Sequence, residues 1–135
     1  MSGVTDIGII LKTMSPQINE GEYVFCTVDT LEKINIKSII GIFKEEEGVT
    51  VILKKKEADT LTLSYSYISA WITLNIHSSL EAFGLTAAVS VALAKENVSC
   101  NVIAAFFHDH IFVDHKQAEN ALAILKAISK NYNTE

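Results

Sequence analysis

The sequence predicts an α+β fold, with antiparallel sheet and helices on one face, organised as two interlocked units over residues 1–68 and 69–135. Three observations lead there. The second half reads strand, helix, strand, strand, helix and then stops, one strand short of a complete layer of sheet. The first half opens on a helix followed by a strand, and that strand can supply the missing one. No Pro-, Gly- or Ser-rich linker separates the halves, so they do not read as two beads on a string.

Bulk composition narrows the function. A chain of 135 residues suits one ordinary domain or two very small ones. It is 49% hydrophobic and 20% charged, which argues against disorder. The net charge is −5 and arginine is absent. Dense cationic contact to phosphate is therefore missing, and no nucleic-acid partner is expected. A bound anion has to be held by backbone N–H, hydroxyls, Lys or a helix N-terminus, because no guanidinium exists to clamp it. Cys26 and Cys100 lie in apolar strand patterns with no Cys-x-x-Cys pair, which reads as two reduced core thiols in a cytoplasmic protein. The start, MSGVTDIGII, has no basic region ahead of its apolar residues and is unlike a signal peptide. No apolar run reaches membrane-spanning length, so no membrane partner is expected.

Along the chain, Thr5 or Asp6 caps a short helix with Ile7, Ile10, Leu11 and Met14 on one stripe, closed by Ser15-Pro16. Residues 15–22 read as a polar loop, and Tyr23 to Val28 as a strand. Residues 29–37 read as irregular. SIIGIFK, EEEG and VTVILKK form a hairpin with Val49, Val51 and Leu53 facing one way. Residues 55–62 offer one or two helical turns, and 64–69 link into a strand in which Ile72, Leu74 and Ile76 alternate with Trp71, Thr73 and Asn75. The helix from Leu85 is apolar nearly all round and should be mostly covered. Asn97 sits where a left-handed C-terminal residue is wanted. A core-like strand from Val98 to Ala105, a polar turn at His108-Asp109-His110 and a further strand follow. Asp114 with Gln117 fits a capping box for the last helix, whose stripe is Ala118, Leu122, Leu125 and Ile128.

Three places could carry chemistry. In His77-Ser78-Ser79-Leu80-Glu81, adjacent side chains on an extended chain point apart, so His77 is badly placed to act as base for Ser78, and no Gly-x-Ser-x-Gly elbow exists. Ser78 with Glu81 fits a capping box. The functional alternative is that hydroxyls and N–H groups of residues 78–86 hold a carboxylate, with the positive end of the helix after Gly84 favouring the charge. Asn101, polar in a core-like strand, must bond either that loop or a ligand. His108 and His110 share one face of an extended chain at a spacing metals accept, with His77 or His115 as a third ligand; the plainer reading is a structural turn.

The stretches HSSLEAFGLTAAVS and SCNVIAAFFHDHIFV, with EYVFCTV and FKEEEGVTVIL in the first half, resemble the ACT-domain proteins. The likeness covers nearly the whole chain and is nearest to short stand-alone tandem ACT proteins of bacteria, the branch similar to the CASTOR arginine sensors. The resemblance implies a ferredoxin-like fold and a non-catalytic regulatory protein. It also implies an amino acid or similar effector bound at a domain or subunit interface, a homodimer or higher homo-oligomer, and no cofactor. By position, the residues it assigns to ligand binding are Ser78, Ser79, Gly84, Leu85 and Thr86, with Asn101, Val102 and Ile103. No catalytic domain is expected beside them.

Overall fold

The structure, a computed structural model, describes residues 14–75 and 84–133. The proposed helix over Ile7–Met14 and its cap therefore lie outside the described residues, apart from buried Met14. Ile76, His77, Ser78, Ser79, Leu80 and Glu81 lie outside them as well.

The strands are β1 (Ser15–Val28), β2 (Ile39–Lys44), β3 (Val49–Lys54), β4 (Ile68–Asn75), β5 (Cys100–Ala104) and β6 (Asp109–Asp114). Among the described residues the α-helices are α1 (Lys55–Thr60), α2 (Leu85–Lys95) and α3 (Ala118–Asn133). The hydrogen-bonded order is β2-β3-β1-β4-β6-β5, an antiparallel α+β arrangement. By contacts the chain divides into a unit formed by Glu20–Ala70 and a unit formed by Met1–Asn19 with Trp71–Glu135.

Residues 15–22 are strand, not loop: β1 is 14 residues long. Its polar first half is strand because the polar side chains find partners on β4. Asn75 Nδ2 donates to Gln17 Oε1 at 3.0 Å, and Asn19 Nδ2 to Thr73 Oγ1 at 2.9 Å. Composition read as a loop signal thus hid a strand whose partner was far away in sequence.

In the Glu20–Ala70 unit the core follows from period two. Val24, Cys26 and Val28 of β1 oppose Leu53, Val51 and Val49 of β3, so six residues share one face. Val24, Val51 and Leu53 are fully buried there, and Ala58 of α1 and Ile34 close over them. Burial pushes the Cys26 thiol up from its ordinary value, and neither cysteine is in a disulfide. The β2–β3 hairpin forms as the sequence indicates. Gly48 is required at its turn, since a Cβ there would come within 2.7 Å of Thr27 Oγ1.

In the other unit, Ile72, Leu74, Ile111 and Val113 make a fully aliphatic sheet face, each at most 1% exposed. Val89 and Leu93 of α2 and Ala121 and Leu125 of α3 bury at i, i+4 spacing. The expectation for α2 is corrected: it is not covered all round, and Val91 is 52% exposed. Asn97 is left-handed at φ 61°, as its place after the helix predicts. Asp114 caps less than the box implied. Its Oδ1 accepts from Lys116 N at 2.9 Å, closing a 3₁₀ turn at His115–Gln117, while Gln117 Oε1 accepts from Asn120 Nδ2. Ala121 belongs to the buried stripe of α3, with Leu122 and Ile128 only half-buried.

These cores predict where the chain is fragile. Leu53→Ala and Leu125→Ala should each lower the unfolding free energy by about 2–5 kcal/mol, whereas Phe43→Ser, at a position 70% exposed, should change it by less than about 0.5 kcal/mol. Urea denaturation followed by circular dichroism checks this; an equal effect at Phe43 would mean that its face is covered in solution.

Candidate functional site

Helix α2 starts from Gly84, whose φ of 84° and ψ of −8° are left-handed. Glycine takes that conformation without a Cβ penalty. It also brings no side chain of its own to close over the first-turn amides, which carry the positive end of the helix. The Gly84 carbonyl accepts from Ala88 N at 2.8 Å, which begins the helical ladder. Gly84 and Thr86 are both exposed. Leu85 is the first helical residue. Ser78 and Ser79 lie outside the described residues.

The β5 residues are placed differently from expectation. β5 ends the strand order, and Asn101 is exposed on it. Among the described residues the strand is an edge, so solvent replaces the buried partner that Asn101 is expected to need. Asn101 pairs with Phe112 and Ile103 with His110, while Val102 pairs with Ile111. Directly opposed residues share a face. Asn101 and Ile103 therefore lie on the face of His110 and Phe112, and Val102 lies on the aliphatic face. Within one chain, the Gly84–Thr86 corner and the Asn101 face are not brought to the same side of the sheet.

The face bearing Asn101 holds a polar network that sequence reading missed. Trp71 Nε1 donates to His110 Nδ1 at 3.0 Å, and Thr73 Oγ1 lies 3.1 Å from the same nitrogen. Asn19 Nδ2 donates to Thr73 Oγ1 and, at 3.2 Å, to the Trp71 carbonyl. An indole N–H can only donate, so His110 Nδ1 is the acceptor and the neutral ring carries its proton on Nε2. The Trp71 ring also stacks on Phe112, with centroids 6.1 Å apart and planes at 18°. The alternation of Trp71, Thr73 and Asn75 along β4 is the signal in the sequence; the partner strand is hidden, because Asn19 lies in a stretch of loop composition.

The turn between β5 and β6 is Ala105-Phe106-Phe107-His108, closed by Ala105 N donating to the His108 carbonyl at 3.1 Å. Asp109 and His110 already belong to β6. This corrects the turn placed at His108-Asp109-His110. His108 Nδ1 is buried without a hydrogen-bond partner. Among the described residues no three His, Cys, Asp or Glu side chains are grouped to hold a metal ion, and His77 lies outside them.

Residues 2–70 match the ACT domain family, and residues 66–127 match a second ACT domain model. The chain belongs to the ACT-domain family. ACT domains are regulatory ligand-binding modules and are typically not catalytic. A Vibrio cholerae protein of unknown function, described as a possible transport protein, is 40% identical; the match covers 91% of this chain and 95% of that one at a TM-score of 0.82. An Agrobacterium tumefaciens protein is 14% identical over 86% of this chain and 89% of its own, with a TM-score of 0.65. Escherichia coli aspartokinase III, solved with aspartate and ADP, is 16% identical over 85% of this ACT chain and 32% of the enzyme, with a TM-score of 0.58. The last two share the fold. No curated protein matches the chain by sequence. No helix among the described residues is long and apolar enough to cross a membrane.

The network makes stability depend on pH. Burial holds the His110 ring below its ordinary value of 6.5, the nearby His108 acts in the same direction, and Asp109 opposes both. Burial pushes the Asp109 carboxyl up, against the pull of His110 and His108. For a depressed histidine the unfolded chain takes up the proton first, so the stabilisation is complete above pH 6.5 and is lost as pH falls through the folded value. Asp109 has the opposite sign and loses stability as pH rises from 3.8. Thermal melts between neutral and mildly acidic pH should show wild type losing more stability than His110→Gln; parallel curves would mean that His110 is not held neutral.

Proposed function

We propose that the chain is a non-catalytic, cytoplasmic regulatory protein that binds an amino acid, with the ligand carboxylate at residues 78–86 where α2 begins. The observation that carries this reading is the Gly84 cap. A left-handed glycine opens the helix, an exposed threonine follows at Thr86, and the chain has no arginine to clamp an anion with a planar fork. Ser78, Ser79 and Thr86 supply hydroxyls, and Gly84 and Leu85 supply backbone N–H groups. ACT membership supports the same ligand class.

Asn101 and Ile103 face away from α2 in their own chain. We therefore assign their contribution, with that of Val102, to a homodimer in which the exposed edge of β5 meets a second copy. An unpaired edge strand favours such pairing. The units of the reading are those of the sequence, 1–68 and 69–135, the second completed by β1.

A thermal-shift panel of the common amino acids tests it. A ligand in roughly hundredfold excess over its Kd stabilises the native state by about 2.7 kcal/mol. One amino acid should raise the melting temperature, and the double variant Ser78→Ala, Ser79→Ala should lose that rise while keeping its own melting temperature. No shift from any amino acid at about 5 mM, a concentration that detects even weak binding, would refute the reading.

A further inference from the structure

The turn between β5 and β6 carries an aromatic knob. Phe106 and Phe107 sit at its tip, 80% and 77% exposed. Their rings meet edge to face, with centroids 5.0 Å apart and planes at 78°. Two neighbouring side chains thus present one apolar surface, of a residue type enriched at protein interfaces. The knob is held from behind. Ala104 pairs with Asp109 across the strands, and Ala105 N donates to the His108 carbonyl at 3.1 Å. An apolar feature on so short a turn loses little entropy on docking.

The Glu20–Ala70 unit carries a cleft that fits such a knob. Its volume is about 360 Å³, and its floor is aliphatic: Val28, Ile34, Leu61 and Leu63, all packed into the core of that unit. An apolar cavity of about 150 Å³ holds one benzene ring, so both rings of the knob can enter. The walls are fixed by backbone bonds. Ile34 N donates to the Leu31 carbonyl at 3.0 Å, and Leu63 N to the Ala58 carbonyl at 2.9 Å. The rim offers Asp29 and Lys33, and Lys33 is opposite in sign to Asp109, which follows the knob after His108. An aromatic side chain buries about 150–250 Å². Seating both rings therefore removes roughly 500–800 Å² in all, counting knob and cleft. Each copy carries one knob and one cleft, and a pair closed on a two-fold axis makes the contact twice, about 1,000–1,600 Å², the size of a specific dimer.

We propose that the chain associates with a second copy of itself by seating Phe106 and Phe107 of one copy in the aliphatic cleft of the other. The occupant is a second copy because knob and cleft match in size, polarity and charge and are borne by the same chain. Side chains make this contact, which separates it from backbone pairing along the edge of β5. It rests neither on that edge nor on the carboxylate site at residues 78–86, and each can fail without the others.

The test mixes two unlike copies of the full chain. The acceptor carries Phe106→Ser and Phe107→Ser and is labelled with ¹⁵N; it keeps its cleft and lacks a knob. The donor is unlabelled: wild type, or Thr30→Trp, which keeps its knob and sets a bulky side chain over its own cleft. All three substitutions lie at exposed positions, so melting temperatures should stay near that of wild type. Either donor should move the acceptor amides at residues 27–34 and 61–63. A donor carrying Phe106→Ser and Phe107→Ser should bind at least about thirtyfold more weakly. No movement of these amides with about 1 mM wild-type donor, or equal movement with the knobless donor, would overturn the proposal. Movement confined to residues 100–104 would overturn it too, while supporting edge pairing of β5.

Discussion

Two strands set the terms for everything else. β1 runs from Ser15 to Val28 and β4 from Ile68 to Asn75, and the boundary between the compact units falls inside both. In the Glu20–Ala70 unit, the buried Ser69 hydroxyl donates to the Tyr23 carbonyl at 2.8 Å. In the other unit, Gln17 and Asn19 bond Asn75 and Thr73. Every backbone N–H and C=O in a sheet needs a partner, and a strand without one is an open edge. In the strand order of the described residues β1 and β4 are central, and β2 and β5 stand at its two ends. Exposed apolar side chains stand at both ends of that order. Ile42 and Phe43 are exposed on β2, as is Ile103 on β5, with Phe106 and Phe107 just past its end.

What the sequence made legible was local. The hairpin over β2 and β3, the single turn and a half of α1, the start of α2 at Leu85 and the left-handed Asn97 all follow from patterns local in the sequence. What it hid was long-range. Residues 15–22 carry Ser, Pro, Gln, Asn, Glu and Gly, a loop composition, and became strand through partners more than fifty residues away. Cys100–Ala104 has the residues of a core strand but sits at an edge, because strand order is not written in any one strand. For the same reason Asn101 looked buried and is exposed. At the candidate site, the left-handed conformation of Gly84 is not written in the residues around it. Which side of the sheet Asn101 would face depended on its register with Phe112. That pairing crosses a turn whose position the histidines obscured.

The polar network around His110 shows how a sheet face can be specific without being apolar. Asn19, Trp71, Thr73 and His110 come from three neighbouring strands, and each hydrogen bond has only one workable donor assignment. Shifting β1 by one residue against β4 would turn Asn19 to the opposite face and leave Thr73 without it. A set of satisfied polar groups thus fixes register where aliphatic contacts alone would tolerate a slip. The cost is the neutral His110 ring, which can take a proton on Nδ1 only by losing the Trp71 bond.

Charge sets the last constraint. With no arginine, the fixed cations are eleven lysines, and a lysine meets an anion as a single point instead of as a planar fork. Lys55 is already held by Asp59 at 3.0 Å and lies near the Tyr65 ring. Point contacts attract a carboxylate but discriminate weakly between one carboxylate and another. Discrimination therefore has to come from surfaces of fixed shape, such as the backbone at a helix start, hydroxyls pinned in turns, and aliphatic floors continuous with the core.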